Sequence, residues 1–274
     1  MAALLSALDS DNYAKNGYLI VKKFLTDAET NLLHKLSMSE EIVEKGFDLN
    51  DQTGKKTRLT LWFTPGDDSF GLMSRSEKMI VAIRQLLGEK GNICHFHSKV
   101  MQKAPKTGGA WEWHQDYGYW YKNGFLYPEA MISVMIALTE SVKANGCLQV
   151  LRGSHLMQRF EHVFIGEQQG ADPIFVEEAM KHCELVYAEL EPGDALFFHP
   201  NLLHRSDANH SEKPRWTIIS AYNLDFNVPF REKNPSCITP VSVVSNAALL
   251  ESGGVLTTQR DFLIKEKEIT LNVK

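Results

Sequence analysis

An imidazole and a carboxylate, two side chains that bind first-row metals, stand two positions apart at His114 and Asp116. On an extended strand, residues i and i+2 point to the same face, so the pair is expected to converge on one ion. Two His and one carboxylate on one face of a metal, with the other positions open, is the ferrous oxygenase arrangement. The spacing alone is weak evidence, since a chain with this His and Asp content holds about 0.5 such pairs by chance. His182 with Glu184 and His210 with Glu212 repeat the spacing with glutamate, in polar stretches expected to be exposed.

The surroundings of His114 set it apart. His204 follows some ninety residues later, after the apolar run Ala195–Phe198 and the turn Pro200-Asn201. Arg215 lies eleven positions beyond His204 and opens the apolar run Trp216 to Ile219. An arginine beside a buried strand is costly unless it meets an anion, and its planar fork suits a carboxylate. Ser206 can give that carboxylate a hydroxyl hydrogen bond. His95 and His97 form a rival metal pair, but no carboxylate follows them at cupin spacing.

Aromatic residues crowd the same segment: Trp111, Trp113, Tyr117, Tyr119, Trp120 and Tyr121. Strand alternation places Trp111 and Trp113 on the face opposite His114 and Asp116. About half of the six are expected to be packing, with Trp120 and Tyr117 as candidates for a substrate wall. Lys99 could reach an anionic substrate or salt-bridge at a rim. His199, near a strand end, is a candidate hydrogen-bonding or substrate-contacting group. Cys147 and His155 read as structural.

The elements that must hold these residues fall into two textures. The first ninety residues read as helices with short strands at Tyr18–Val21 and Leu59–Phe63. Thr26-Asp27-Ala28-Glu29 is a capping box leading into an apolar face that Ile42 and Val43 continue, and Arg75–Leu87 repeats the helical period before Gly88. From Asn92 the pattern changes to short β runs: Met131–Leu138, Cys147–Leu151 after an Asn145-Gly146 turn, Leu185–Leu190, Ala195–Phe198 and Trp216–Tyr222. Glu161–His182 reads as a mixed insertion with a helix at Pro173–Lys181. The prediction is a mainly β chain with α elements, a barrel or sandwich with the N-terminal third covering one sheet.

Composition narrows the function classes. The chain has 274 residues, 43% hydrophobic and 23% charged, with a formal net charge of -5. That is ordinary for one large globular domain and gives no general electrostatic footprint for nucleic acid. Its apolar runs are too short to span a bilayer. Asp9 and Asp11 interrupt the apolar start and no basic n-region precedes it, so a cytoplasmic location is expected. The four cysteines, Cys94, Cys147, Cys183 and Cys237, are widely spaced and suit reduced thiols.

Taken in order, Asn16-Gly-Tyr-Leu-Ile20, Trp113-His-Gln-Asp116, Asn145-Gly-Cys-Leu-Gln-Val150 leading to Gly153-Ser-His155, Pro192-Gly-Asp194, His204 and Arg215 resemble the phytanoyl-CoA dioxygenase family. These are Fe(II)- and 2-oxoglutarate-dependent oxygenases, and the resemblance covers residues 10–225. It implies a double-stranded β-helix (jelly-roll, cupin-like) core at about 92–224, a helical cover at 1–91 and an extension at 225–274, in one domain over 1–274. It implies that His114, Asp116 and His204 ligate iron, and that Arg215, helped by Ser206, holds the distal carboxylate of 2-oxoglutarate. His97 stands where relatives use a polar strand residue against the cosubstrate. A carboxylate at position 116 argues against the halogenating relatives.

The closest likeness is to the ectoine and free-amino-acid hydroxylases. It implies hydroxylation of a small polar metabolite (an amino acid, an ectoine-like zwitterion or an aminoalkylphosphonate), with O2 consumed and succinate and CO2 released. The expected partners are that small molecule, no nucleic acid and no membrane, with the chain a monomer or homodimer. Ala221 stands where nucleic-acid demethylases carry a second arginine. The alternatives are an acyl-CoA or carrier-bound substrate, and a non-catalytic binding protein.

Overall fold

The computed structural model describes residues 3–231, 235–257 and 261–263. The N-terminal third runs α1 (Ala7–Asn16), β1 (Tyr18–Val21), α2 (Asp27–Ser37), α3 (Glu40–Val43), β2 (Phe47–Asn50), β3 (Lys56–Trp62), α4 (Ser69–Ser74) and α5 (Glu77–Leu87). Ser6 with Asp9, and Thr26 with Glu29, form capping boxes that start α1 and α2 by satisfying free amides. Ile42 and Val43 do not continue α2. Ser37 and Ser39 bond back to Leu33 O and Leu36 O, the chain turns extended at Ser39, and α3 is a separate turn.

The remaining elements are β4 (Ile93–Lys103), β5 (Trp111–His114), α6 (Asp116–Lys122), β6 (Met131–Ala137), β7 (Leu148–Leu151), β8 (His162–Ile165), β9 (Gln168–Ala171), α7 (Pro173–His182), β10 (Leu185–Ala188), β11 (Ala195–Phe198), β12 (His204–Ser206), β13 (Arg215–Leu224) and α8 (Ala248–Glu251). A seven-stranded sheet has the order β1-β11-β6-β13-β4-β3-β2, and a four-stranded sheet the order β10-β7-β12-β5. Their pairings are antiparallel, and β8 and β9 form a separate hairpin.

Every residue of β6 is buried, because each of its faces meets a different layer. Ile132, Val134 and Ile136 join Leu33, Met79, Ile80 and Ile83 under the helices. Met135 and Ala137 turn the other way and meet Leu148 and Val150 of the small sheet. This period of two makes the large sheet the partition between a helical layer and a β layer, the expected jelly roll. Each fully buried Leu, Ile or Phe adds about 1.5–3 kcal/mol to that partition.

Residues 235–257 form an extra layer on the helical side. Val241 N donates to Ile93 O, Val244 N donates to Arg75 O, and Leu249 of α8 enters the helical core. Among the described residues no helix is long and apolar enough to cross a membrane.

Candidate active site

β5 and β12 are neighbours, and their register sets His114 directly opposite His204. The two imidazole centroids are 4.0 Å apart. His114 Nδ1 lies 2.7 Å from Glu112 O and His204 Nδ1 2.9 Å from Leu202 O. A carbonyl can only accept, so both Nδ1 atoms carry the hydrogen and both Nε2 atoms present a lone pair. Each Nε2 is 3.9 Å from Asp116 Oδ1. Burial pushes both imidazoles below their ordinary range; His204 adds to the effect on His114, while Asp116 opposes it on His204. The ligand atoms of these three residues all lie within 4.8 Å of one another, and no other such cluster occurs among the described residues.

Asp116 is not on the strand, contrary to the sequence reading. β5 ends at His114, Gln115 is extended (φ -118, ψ 130), and Asp116 opens α6. The i, i+2 convergence survives because Gln115 keeps strand dihedrals across the junction. Gln115 is itself clamped: its side chain donates to Gln158 O and Asn201 O and accepts from Phe160 N, each within 2.7 Å. Its backbone N–H donates to His162 Nε2 at 3.1 Å. Ser133 of β6 donates to Asp116 Oδ2 at 2.5 Å, leaving Oδ1 to the imidazoles. Ser133 and His162 have no sequence signature; only the strand register and the β8 hairpin bring them here.

A cavity partly open to solvent is lined by these three residues. Arg215 and Ser206 line it, as do the apolar Met101, Met135, Phe198 and Ile219. Arg215 is buried, its Nη1 donates to Gly146 O, and its Nε has no hydrogen-bond partner among the described residues. Burial lowers its pKa to about 10. An incompletely paired buried guanidinium calls for an anion. Gly146 has a left-handed φ of +76, and a Cβ there would lie 2.2 Å from Asp207 O, so only glycine lets the end of β12 close over this site. Lys103, missed in the sequence, is buried beside Ser206 with Nζ 2.7 Å from its hydroxyl.

Several expected contacts are placed differently. Trp111 lines the cavity with His114, whereas Trp113 packs behind it with Leu151 and Leu203. A β-bulge sets Ser206 opposite Trp111 while His204 is opposite His114, and the extra residue on β5 reverses the alternation. Tyr117 and Trp120 do not border the cavity. They lie on α6, whose helical period turns them into a cluster with Phe96 and Phe125, and Tyr117 Oη donates to Phe125 O.

His97 shares the inner face of β4 with Lys99 but packs on Phe96 and Trp120 and does not line the cavity. His199 sits against His155 and accepts from Asn201 N. The rival pair fails as a metal site, because both nitrogens of His95 are occupied, by Phe63 O and Ser98 Oγ. Lys99 does line the cavity, 6.0 Å from the Trp111 ring, and no carboxylate pairs with it among the described residues. Arg205, also on the cavity, is paired with Asp207 and Gln149. Cys94, Cys147 and Cys183 are free thiols.

The family model for phytanoyl-CoA dioxygenase matches residues 13–217. A probable phytanoyl-CoA dioxygenase of Caenorhabditis elegans is 25% identical, over 81% of this chain and 77% of its own length. An ectoine dioxygenase of Bordetella parapertussis is 22% identical, over 81% of this chain and 76% of its own. The crystal structure of the apoform of EctD from S. alaskensis superposes with a TM-score of 0.72 at 19% identity, covering 89% of each chain. The matched span runs from within α1 into β13 and contains the three clustered residues and Arg215, and on that ground the chain belongs to the phytanoyl-CoA dioxygenase family.

Proposed function

We propose that this enzyme is an Fe(II)- and 2-oxoglutarate-dependent dioxygenase that hydroxylates a C–H bond of a small polar metabolite. The observation that carries the proposal is the donor set: two tautomer-fixed neutral imidazoles and one oriented carboxylate oxygen, buried and sharing a cavity with an incompletely paired guanidinium. Three ligands on one side leave positions open, which suits ferrous iron and a chelating cosubstrate. When bound, iron, 2-oxoglutarate and O2 supply the oxidising power, with succinate and CO2 as co-products.

The chain's own residues do the rest. His114, Asp116 and His204 would hold the metal. Arg215 and Ser206 would take the distal carboxylate of 2-oxoglutarate. Met135, Phe198 and Ile219 keep water away from the reacting centre. Lys99, without a carboxylate partner among the described residues and on the cavity wall, would meet an anionic group on the substrate, and the Trp111 ring beside it suits an apolar part of the same molecule. The pairing of the Lys99 ammonium with the Trp111 ring on the cavity wall suits a small zwitterion, such as an amino acid, an ectoine-like compound or an aminoalkylphosphonate.

The test is succinate formation with Fe(II), ascorbate, 2-oxoglutarate and O2 across amino acids, betaines, ectoine, aminophosphonates and acyl-CoAs. Succinate that one class stimulates, and that His204→Ala and Asp116→Ala abolish, is the expected result. Stimulation by acyl-CoAs alone would replace the small-metabolite assignment. No succinate above the two variants, despite bound iron, would leave a non-catalytic binding protein.

A further inference from the structure

Lys103 ends β4 and is fully buried, with 0% of its surface exposed. Its register partner across the sheet is Arg215, so two basic side chains stand side by side, and Arg215 lines the cavity. Nζ lies 2.7 Å from Ser206 Oγ, 2.6 Å from Asp207 O and 3.3 Å from Ser206 O. An ammonium has three hydrogens and no lone pair, and two of these acceptors are carbonyls that cannot donate. A protonated Lys103 therefore donates to Ser206 Oγ as well. The hydroxyl must then turn its own hydrogen elsewhere, and Ser206 lines the cavity together with Arg215, whose Nε is buried and has no hydrogen-bond partner among the described residues.

We propose that Lys103 is a positioning residue that fixes the Ser206 hydroxyl as a donor toward the anion held by Arg215, so that anion binding requires a protonated lysine. The proposal rests on the reading that this anion is the distal carboxylate of 2-oxoglutarate. With Lys103 neutral, its two hydrogens would serve the carbonyls and its lone pair would take the Ser206 hydrogen, turning the hydroxyl away from the cavity. The groups that face Nζ are Arg215 on β13, Asp207 just past β12, Asp51 after β2 and the Cys147 thiol before β7. Burial and Arg215 push Lys103 well below its ordinary range, while Asp207 and Asp51 oppose this. An incoming carboxylate favours the ammonium, so binding takes up a proton and weakens as pH rises past the free-site value.

The experiment is anaerobic calorimetry of 2-oxoglutarate binding to the Fe(II)-loaded protein, in buffers of different ionisation heat. The proteins are wild type, Ser206→Ala, Lys103→Met and the double variant. Each single change is expected to weaken binding about tenfold or more, the size of one charge-assisted hydrogen bond. The double change is expected to be no worse than either single one, and the proton uptake of wild type to be lost with Lys103. Lys103→Gln, which keeps donors for the two carbonyls, serves if Lys103→Met does not fold. Additive losses, or a lysine variant that binds like wild type, would overturn the role of Lys103 while leaving the cosubstrate assignment intact. Absence of binding to wild type would overturn both.

Discussion

Ser133 Oγ lies 2.5 Å from Asp116 Oδ2, and this bond decides which carboxylate oxygen faces the two imidazoles. Both groups are buried, so removing the hydroxyl leaves Oδ2 without its donor and the carboxylate free to turn. Ser133→Ala is expected to weaken metal binding about 10- to 100-fold with the fold intact, the usual range for such supporting groups. Titration of the metal-free protein with Co(II), read by its visible absorption, measures this. An unchanged affinity would mean that Asp116 is held by α6 alone.

Several buried imidazoles couple stability to pH. Burial pushes His95 and His162 from 6.5 to about 4, and His199 to about 3. The unfolded chain takes up these protons near 6.5 and the native protein does so only near its lowered values. The unfolded state thus holds more protons in between, and stability falls as pH falls through that window. Each group removes about 1.4 kcal/mol per pH unit there, so the three together remove on the order of 4 kcal/mol per unit below pH 6.5. Urea unfolding of the metal-free protein at pH 7 and at pH 5.5 checks this, and equal stabilities would refute it.

The legible part of the molecule is the part encoded by period and by punctuation. Short apolar runs bounded by turn residues gave β6, β7, β11 and β13, the capping box at Thr26 gave the start of α2, and Gly146 marked the turn that Arg215 needs. His114, Asp116 and His204 could be singled out because metal chemistry restricts residue type, and the fold brings them together. What was illegible came from register and from changes of period. One bulge in β5 moved Trp111 into the cavity, and a strand-to-helix switch at Gln115 moved Tyr117 and Trp120 out of it. Lys103 went unnoticed in the sequence because no local feature announces that Ser206 and Asp207 will fold over it.

Lys99 separates substrate binding from cosubstrate binding. It is on the cavity but not among the groups around Arg215, and it has no carboxylate partner among the described residues. Lys99→Gln is expected to raise KM for an anionic substrate about tenfold or more, the worth of one charge-assisted hydrogen bond, with KM for 2-oxoglutarate within twofold. Steady-state kinetics on the substrate found by the metabolite panel decides it. Equal effects on both constants would place Lys99 at the cosubstrate instead.

Gly118 tests whether the His162 clamp matters to the metal site. A Cβ on Gly118 would fall 2.0 Å from His162 Cε1, and the ring cannot retreat freely. Its Nε2 accepts from Gln115 N, its Nδ1 meets Phe160 O at 3.1 Å, and Tyr119 packs edge-on at 5.1 Å. Alanine is the better helix former by up to about 1 kcal/mol, but a forced overlap against a rigid ring costs about 1–3 kcal/mol, so the clash wins. The displaced ring must release Gln115 N, which sits between the two ligands His114 and Asp116. Gly118→Ala is therefore expected to lower both the Tm of the metal-free protein and its metal affinity. His162→Gln, whose side-chain oxygen can still accept from Gln115 N, should lose less affinity. A Gly118→Ala protein with a lower Tm and wild-type metal affinity would confine the clamp to folding.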